Sequence, residues 1–243
     1  MRLPVTPTTT LWRGLRDRVR RRSAGGRVIV AVDGLDGAGK TVFADGLAEV
    51  FAETGDAVFR AGIDGFHRPR SERYLRGRHS PEGFYRDSFD YATFRRVLID
   101  PFRDGAQTAG TTGFQLAAFD VVRDAPVESQ WVTAPLDAVL VVDGIFLHRP
   151  ELADLWDLDV WVDVPFEVSV PRGNARFGSV GAQEADPASE VNARYVGGQR
   201  LYLVEVDPAA RATWVLDNAD LAAPVLTSRP PGGPPPWVRA PAG

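Results

Sequence analysis

Apolar positions along the chain fall into two alternating kinds of run. Short continuous runs rich in β-branched residues occur at "RVIVAV" (27–32), "AVFRAGI" (57–63), "DAVLVVDGIFL" (137–147), "LDVWVDVP" (158–165) and "ATWVLDN" (212–218). Runs of this length and composition predict strands, and the unbroken ones suit strands covered on both faces. Between them the spacing turns helical, with Leu11, Trp12, Leu15 and Val19 on one side of 11–22, and Val42, Phe43, Leu47, Val50 and Phe51 along 40–53. The glycine of "ETGD" closes the second of these helices. Helical patterning resumes at 90–103, and two more helices are expected between 165 and about 206. Strands alternating with helices predict an α/β fold, a mostly parallel sheet of about five strands with helices on both faces.

The polar stretches set the domain organisation. Residues 1–24 read as an N-terminal extension, loose over 1–10 and helical after it, residues 25–220 as one domain, and 221–243 as a Pro/Gly-rich tail left without structure. Residues 64–89 form a long polar loop rich in Gly, Pro and Arg, a length typical of functional or disordered loops, and 108–134 suggest irregular strands.

Composition removes several function classes. The chain has no cysteine, which excludes disulfides, thiolate metal sites and a Cys nucleophile. A net charge of −4 argues against broad nucleic-acid binding. No apolar run approaches the ~20 residues that span a bilayer, and the N-terminus lacks the apolar core of a secretory signal. The expectation is a cytoplasmic protein without nucleic-acid or membrane partners. Of the 28 Lys plus Arg residues, 27 are Arg; Lys40 is the single lysine.

Lys40 lies in "GLDGAGKT", which runs Gly34, Leu35, Asp36, Gly37, Ala38, Gly39, Lys40, Thr41 and fits G-x-x-x-x-G-K-[ST] between a strand and a helix. Its glycines let backbone N–H groups turn around a phosphate chain, and the helix that starts near Lys40 adds the positive end of its dipole. A compact ammonium on a flexible stem fits such a cradle better than a broad planar guanidinium. The pattern predicts a P-loop NTPase fold that binds a nucleoside triphosphate and Mg²⁺, with Gly34 to Thr41 and Val42 around the phosphates. Lys40 is placed on the β- and γ-phosphates and Thr41 on the metal.

A transfer reaction needs further carboxylates. Asp143 ends the core strand "VLVVDG", on the sheet edge where ligands bind in open α/β folds, and is assigned to Mg²⁺. Asp64 ends the second strand in "AGIDGFH", on the same edge, and is assigned as the base for an acceptor hydroxyl. Asp33 is read as structural. The ordered set "DGLDGAGKT", "DGFHRPRSERYLRGRHSPEGFYRDSFDY", "LVVDGIFL" and "RYVGGQRLYL" resembles the uridine kinase-like branch of the P-loop kinases, close to phosphoribulokinase and bacterial pantothenate kinase, over about residues 25–220. The resemblance implies ATP-dependent phosphorylation of a hydroxyl on a nucleoside-like small molecule, with Asp64 at the catalytic aspartate and Asp143 at the family's strand-end acid. Homo-oligomers occur on this kind of scaffold.

Candidate acceptor contacts are His67, Tyr85, Phe89, Phe119, Arg123 and Arg200, with the arginines of 64–89 as further anion ligands. The family's lid signature, Arg-Arg-x-x-Arg-Asp, is only partly present in "VSVPRGNARFG": Arg172 and Arg176 keep two arginine positions, Gly173 replaces the middle one and Phe177 the aspartate. Arg172 and Arg176 are assigned to the transferring phosphate. Pro171 and Gly173 would cost a helix about 3 and 1 kcal/mol relative to Ala, which predicts a broken or shortened lid helix. Two alternatives stay open: a non-nucleoside acceptor such as a pantothenate-like alcohol or a sugar phosphate, and a nucleotide-binding regulatory protein with weak or no transfer.

Overall fold

The computed structural model describes residues 2–23, 26–104, 113–178 and 180–228. In chain order the elements that frame the sheet are α1 (Pro7–Ser23), β1 (Val28–Gly34), α2 (Lys40–Ala52), β2 (Val58–Gly62), α3 (Pro81–Asp87), β3 (Phe119–Asp120), β4 (Ala125–Pro126), β5 (Val139–Gly144), β6 (Leu158–Asp163), α4 (Phe166–Asn174), α5 (Ala193–Val206), β7 (Trp214–Asp217) and β8 (Val225–Ser228). The main sheet has six strands in the order β2-β5-β1-β6-β7-β8. All neighbours pair in parallel except β8, which runs antiparallel to β7. The sixth strand comes from 225–228, inside the segment that composition marks as a tail. The Pro-rich remainder, 229–243, lies outside the described residues, as do residues 105–112, which take in the first five positions (108–112) of the expected irregular-strand region.

Every residue of β1 and β5 is buried, so their unbroken apolar runs match strands covered on both faces. Parallel pairing of β1 with β5 sets Val32 opposite Asp143 and Asp33 opposite Gly144, which brings the ends of the two strands to one edge. β2 pairs with β5 on the other side and sets Gly62 opposite Asp143. The three strand ends that carry Asp33, Asp64 and Asp143 are thus adjacent before any side-chain contact is considered.

The polar stretch 64–89 is more ordered than its composition suggests. A 3₁₀ turn covers Ile63–Phe66, a helical turn covers Arg70–Arg73, and α3 begins where the Ser80 hydroxyl accepts from the Gly83 N–H with Pro81 in the first turn. That cap is written in "SPEG" itself. Beyond it Phe84, Tyr85 and Phe89 enter an aromatic cluster with Phe146 and Tyr202, with ring centroids 5.0–6.5 Å apart. Edge-to-face aromatic pairs of this kind contribute about 0.5–1.5 kcal/mol each beyond the area they bury.

The amphipathic N-terminal segment is a helix from Pro7, so part of the stretch expected to be loose belongs to it. α1 lies on α2, with Leu15 and Val19 fully buried and Trp12 edge-on to Phe43. Glycine at position 46 makes this approach feasible, because a Cβ there would stand 2.2 Å from the Trp12 ring. Gly46→Val is expected to dislodge Trp12 and lower stability by about 1–3 kcal/mol, more than the fraction of a kcal/mol that a side chain gains over glycine in a helix. Urea unfolding measures this, and an unchanged midpoint would contradict the packing.

Candidate active site

The loop between β1 and α2 is shaped by close approach. Gly37 has φ +78°, and a Cβ on it would lie 2.0 Å from the Ser169 carbonyl oxygen and 2.6 Å from the Gly173 nitrogen, both on α4. Gly39 has φ +96°, and a Cβ on it would lie 2.7 Å from Asn218 Nδ2. Any other residue at 37 would push α4 off the loop. α4 itself passes through Pro171 and Gly173 and ends at Asn174, followed by a 3₁₀ turn at Ala175–Phe177. The helix is short and continuous through the proline, and Gly173 is where it meets the loop backbone.

Three polar side chains outside the motif hold the loop in place. Gln199 Oε1 accepts from the Asp36 N–H at 2.8 Å, Asn218 Nδ2 donates to the Ala38 carbonyl at 2.7 Å, and Asp33 Oδ1 accepts from the Gly34 N–H at 2.7 Å. Asp33 is fully buried and forms the hub of a larger network. Its Oδ2 meets His148 Nδ1 at 2.7 Å, accepts from the His148 N–H at 3.1 Å and takes the Tyr202 hydroxyl. His148 Nε2 continues to Asp159, which accepts from the Thr213 hydroxyl. The loop is thereby tied to β6, α5 and the start of β7.

The motif side chains converge on the strand edge. Lys40 is 8% exposed, with Nζ donating to the Leu35 carbonyl at 2.8 Å, so its ammonium folds back over the loop. Thr41 Oγ1 donates to Asp143 Oδ2 at 2.7 Å, and Arg60 from β2 donates to Asp143 Oδ1 at 2.8 Å while also pairing with Asp45. Asp64 is exposed on the neighbouring turn. It lines a cavity of about 440 Å³ with Asp36, Gly37, Gly173, Arg176 and Tyr195. Burial raises the Asp36 carboxyl above its ordinary pKa, Lys40 opposes that, Asp64 adds to it and Arg176 opposes it, which places the four charges in one electrostatic neighbourhood.

The remaining sequence-assigned residues divide. His67 stands beside Asp64, its Nδ1 2.8 Å from the Asp64 carbonyl oxygen and its ring 4.6 Å from that of Phe89. Burial depresses its pKa despite the opposing contact and charge of Asp64, favouring the neutral ring. Phe119 sits in β3, whose approach is seated on the acceptor turn by the Ala118 N–H donating to the Gly65 carbonyl. Tyr85 and Phe89 are each 2% exposed and belong to the aromatic core; burial pushes the Tyr85 hydroxyl up to about 12. Arg123 is exposed, with its N–H on Asp120. Arg200 is exposed above the Phe166 ring and does not line the cavity. Arg172 donates to the Asn218 and Ala219 carbonyls at 2.9 and 2.6 Å, so only Arg176 of the two lid arginines faces the cavity.

The arrangement fits a nucleotide and its metal. A glycine cradle that a Cβ would fill, an ammonium folded over it and a hydroxyl–carboxylate pair beside it match what a triphosphate with Mg²⁺ requires. Among the described residues there is no group of three or more His, Cys, Asp or Glu able to cage a metal alone. Mg²⁺ bound to phosphates takes only one or two protein ligands, so Thr41 and Asp143 suffice.

No protein-family model matches the chain. Solved structures with similar folds include one described as a possible uridine kinase from Bacillus stearothermophilus, at 22% identity and TM-score 0.59, covering 84% of this chain and 100% of that one. D-glycerate 3-kinase from Cryptococcus neoformans matches at 11% identity and TM-score 0.54, covering 80% and 87%. Phosphoribulokinase from Rhodobacter spheroides matches at 17% and 0.52, covering 86% and 82%. At these identities the likeness shows a shared fold, that of the P-loop kinases. Among the described residues no helix is long and apolar enough to cross a membrane.

The buried network behind the loop carries a pH signature. Burial disfavours a charge on His148, but hydrogen bonds and charge from Asp159 and Asp33 outweigh it and push the imidazole up to about 9 from 6.5. A raised folded-state value means the stabilisation is fully present below pH 6.5 and is lost as pH rises through about 9. Unfolding free energy is expected to fall over that window by on the order of 3 kcal/mol. His148→Gln should flatten the profile there, and an identical slope in both proteins would contradict the assignment.

Proposed function

We propose that the chain is a kinase that transfers the γ-phosphoryl group of ATP to a hydroxyl of a small molecule. The observation that carries this reading is the single cavity in which Asp64 faces the phosphate loop, with Lys40 and Arg176 in electrostatic reach of the same loop aspartate. A phosphate cradle alone serves any NTPase. A carboxylate on the adjoining strand end, open to the cavity and free of an ion pair among the described residues, supports a role toward a second substrate.

In this reading the backbone of 34–41 and Lys40 bind the phosphates, and Arg176 adds positive charge beside the negatively charged equatorial oxygens of the transferring group. Thr41 and Asp143 hold Mg²⁺, which when bound offsets negative charge on the phosphates. Asp64 accepts the proton of the acceptor hydroxyl as that oxygen bonds to the γ-phosphorus and the bond to the β-bridging oxygen breaks, releasing ADP. His67, neutral and donating its Nδ1–H to the Asp64 carbonyl, presents Nε2 as a hydrogen-bond acceptor toward a hydroxyl of the second substrate. Catalysis is mostly positioning and preorganised charge.

The sequence resemblance favours a uridine- or cytidine-like acceptor. Tyr85 and Phe89, the rings on which a base would stack, are committed to the core, and this favours a non-nucleoside alcohol. The occupied state of Arg172 favours a second reading, a protein that binds nucleotide with little transfer. Asp64→Asn is expected to keep nucleotide affinity within twofold and to lose at least about 100-fold in acceptor-dependent ADP release, the usual scale of a general base. Lys40→Ala should lose both. Wild-type turnover in Asp64→Asn removes Asp64 from its role, and ATP binding with no acceptor-dependent release across nucleosides, alcohols and sugar phosphates would support the second reading.

A further inference from the structure

Most arginines on the segment between β2 and the end of α3 are already neutralised. Arg68 pairs with Glu72, Arg73 with Asp124, Arg76 with Asp87 and Glu82, and Arg86 with Glu82 and Glu205. Arg78 and Arg194 form no ion pair among the described residues; an Arg194 terminal nitrogen donates to the Arg78 carbonyl. With His79 they line a second cavity of about 700 Å³, walled by Tyr74 and Tyr195 and containing one acid, Glu190.

Arg194 is held by rings more than by hydrogen bonds. Its guanidinium carbon lies 4.9 Å from the Tyr74 ring centroid, 5.6 Å from Tyr195 and 5.7 Å from Phe84, so the fork is supported on aromatic faces. Its Nε is buried without a hydrogen-bond partner. A buried donor left unmade is costly, so hydrogen bonds within the fold do not account for the placement of this guanidinium. The cavity adjoins the phosphate-loop cavity, because Tyr195 lines both. The charge of Arg194 is also felt at His67, which stands on the Asp64 turn.

We propose that this second cavity is the distal subsite for the acceptor, and that Arg194 and Arg78 there bind an anionic group of the acceptor, a phosphate monoester or a carboxylate. The inference rests on the kinase reading for the word acceptor, while the anion site itself does not. Two guanidinium groups without counter-ions, facing one cavity, match the planar oxygens of such groups. A volume of about 700 Å³ accommodates a sugar-sized body as well as the anion. The substrate would then run from the anion on Arg194 and Arg78 past Tyr195 to a hydroxyl at Asp64.

The test is calorimetric titration of the full chain, saturated with Mg²⁺ and a non-hydrolysable ATP analogue so that the phosphate loop is filled. The probes are inorganic phosphate, fructose 6-phosphate, D-glycerate, and the neutral compounds fructose and uridine. Binding of at least one anion, stronger than either neutral compound and weakened about 10-fold or more in both Arg194→Gln and Arg78→Gln with analogue affinity unchanged, is the expected result, the size of a lost charge-assisted hydrogen bond. Preference between the phosphates and D-glycerate tells phosphate from carboxylate. Equal binding by wild type and both variants, tighter binding of a neutral compound, or no binding of any anion overturns the proposal. Arginine-dependent anion binding without ADP formation from ATP would leave the subsite standing and remove the kinase reading instead.

Discussion

A buried carboxylate at the end of β1 organises this protein. Asp33 is fully buried, and its two oxygens accept from the Gly34 N–H, the His148 backbone and the Tyr202 hydroxyl, and meet the His148 ring. Burying an unpaired carboxylate would cost several kcal/mol, so the network behind it has to be complete. Completing it fixes where β1 stops, where the phosphate loop begins and how α5 lies against both. Removing one partner would leave a buried charge unmet, which is why the loop geometry and the packing of α5 stand or fall together.

From that hub the site is assembled by close backbone contact. α4 rests on Gly37, Gln199 of α5 holds the Asp36 amide, and Asn218 after β7 holds the Ala38 carbonyl. The phosphate loop is therefore gripped by elements far apart in the chain, and only a backbone without a side chain at position 37 admits the grip. The same crowding explains the lone lysine. Lys40 lies almost wholly buried inside the turn, on the Leu35 carbonyl, in a space that suits a single ammonium. The arginines around it work where there is room, in ion pairs on the surface of 64–89, on Asp143 and among the rings near Tyr195.

The parts of this design that depend on local pattern were readable from the chain. Five of the six strands of the sheet follow from apolar runs, and the phosphate loop from its glycine spacing. Adjacency of the strand ends with Asp33, Asp64 and Asp143 follows from parallel pairing. The parts that depend on contacts between distant residues were not. Gln199 and Asn218 are single amides in ordinary surroundings, and Arg172 looks like a lid residue until the carbonyls of 218 and 219 are seen to occupy it. Tyr85 and Phe89 resemble pocket walls by position, yet Phe146 and Tyr202 draw them into the core. β8 was hidden by the Pro-rich composition that follows it; Pro171 and Gly173, by propensity, suggested a broken or shortened helix, and α4 runs through Pro171 but ends at Asn174.

In the proposed kinase, Asp64 and the phosphate loop form one chamber for transfer to a hydroxyl. Phosphorus NMR of ATP, Mg²⁺ and the protein with a mixture of sugar phosphates, hydroxy acids, alcohols and nucleosides tests it most directly, because it reports where the γ-phosphorus goes. The expected result is that the γ resonance gives way to that of a new phosphate monoester with the protein and not with Lys40→Ala. Conversion to inorganic phosphate alone, or an ATP spectrum that stays unchanged while the nucleotide is bound, would contradict it.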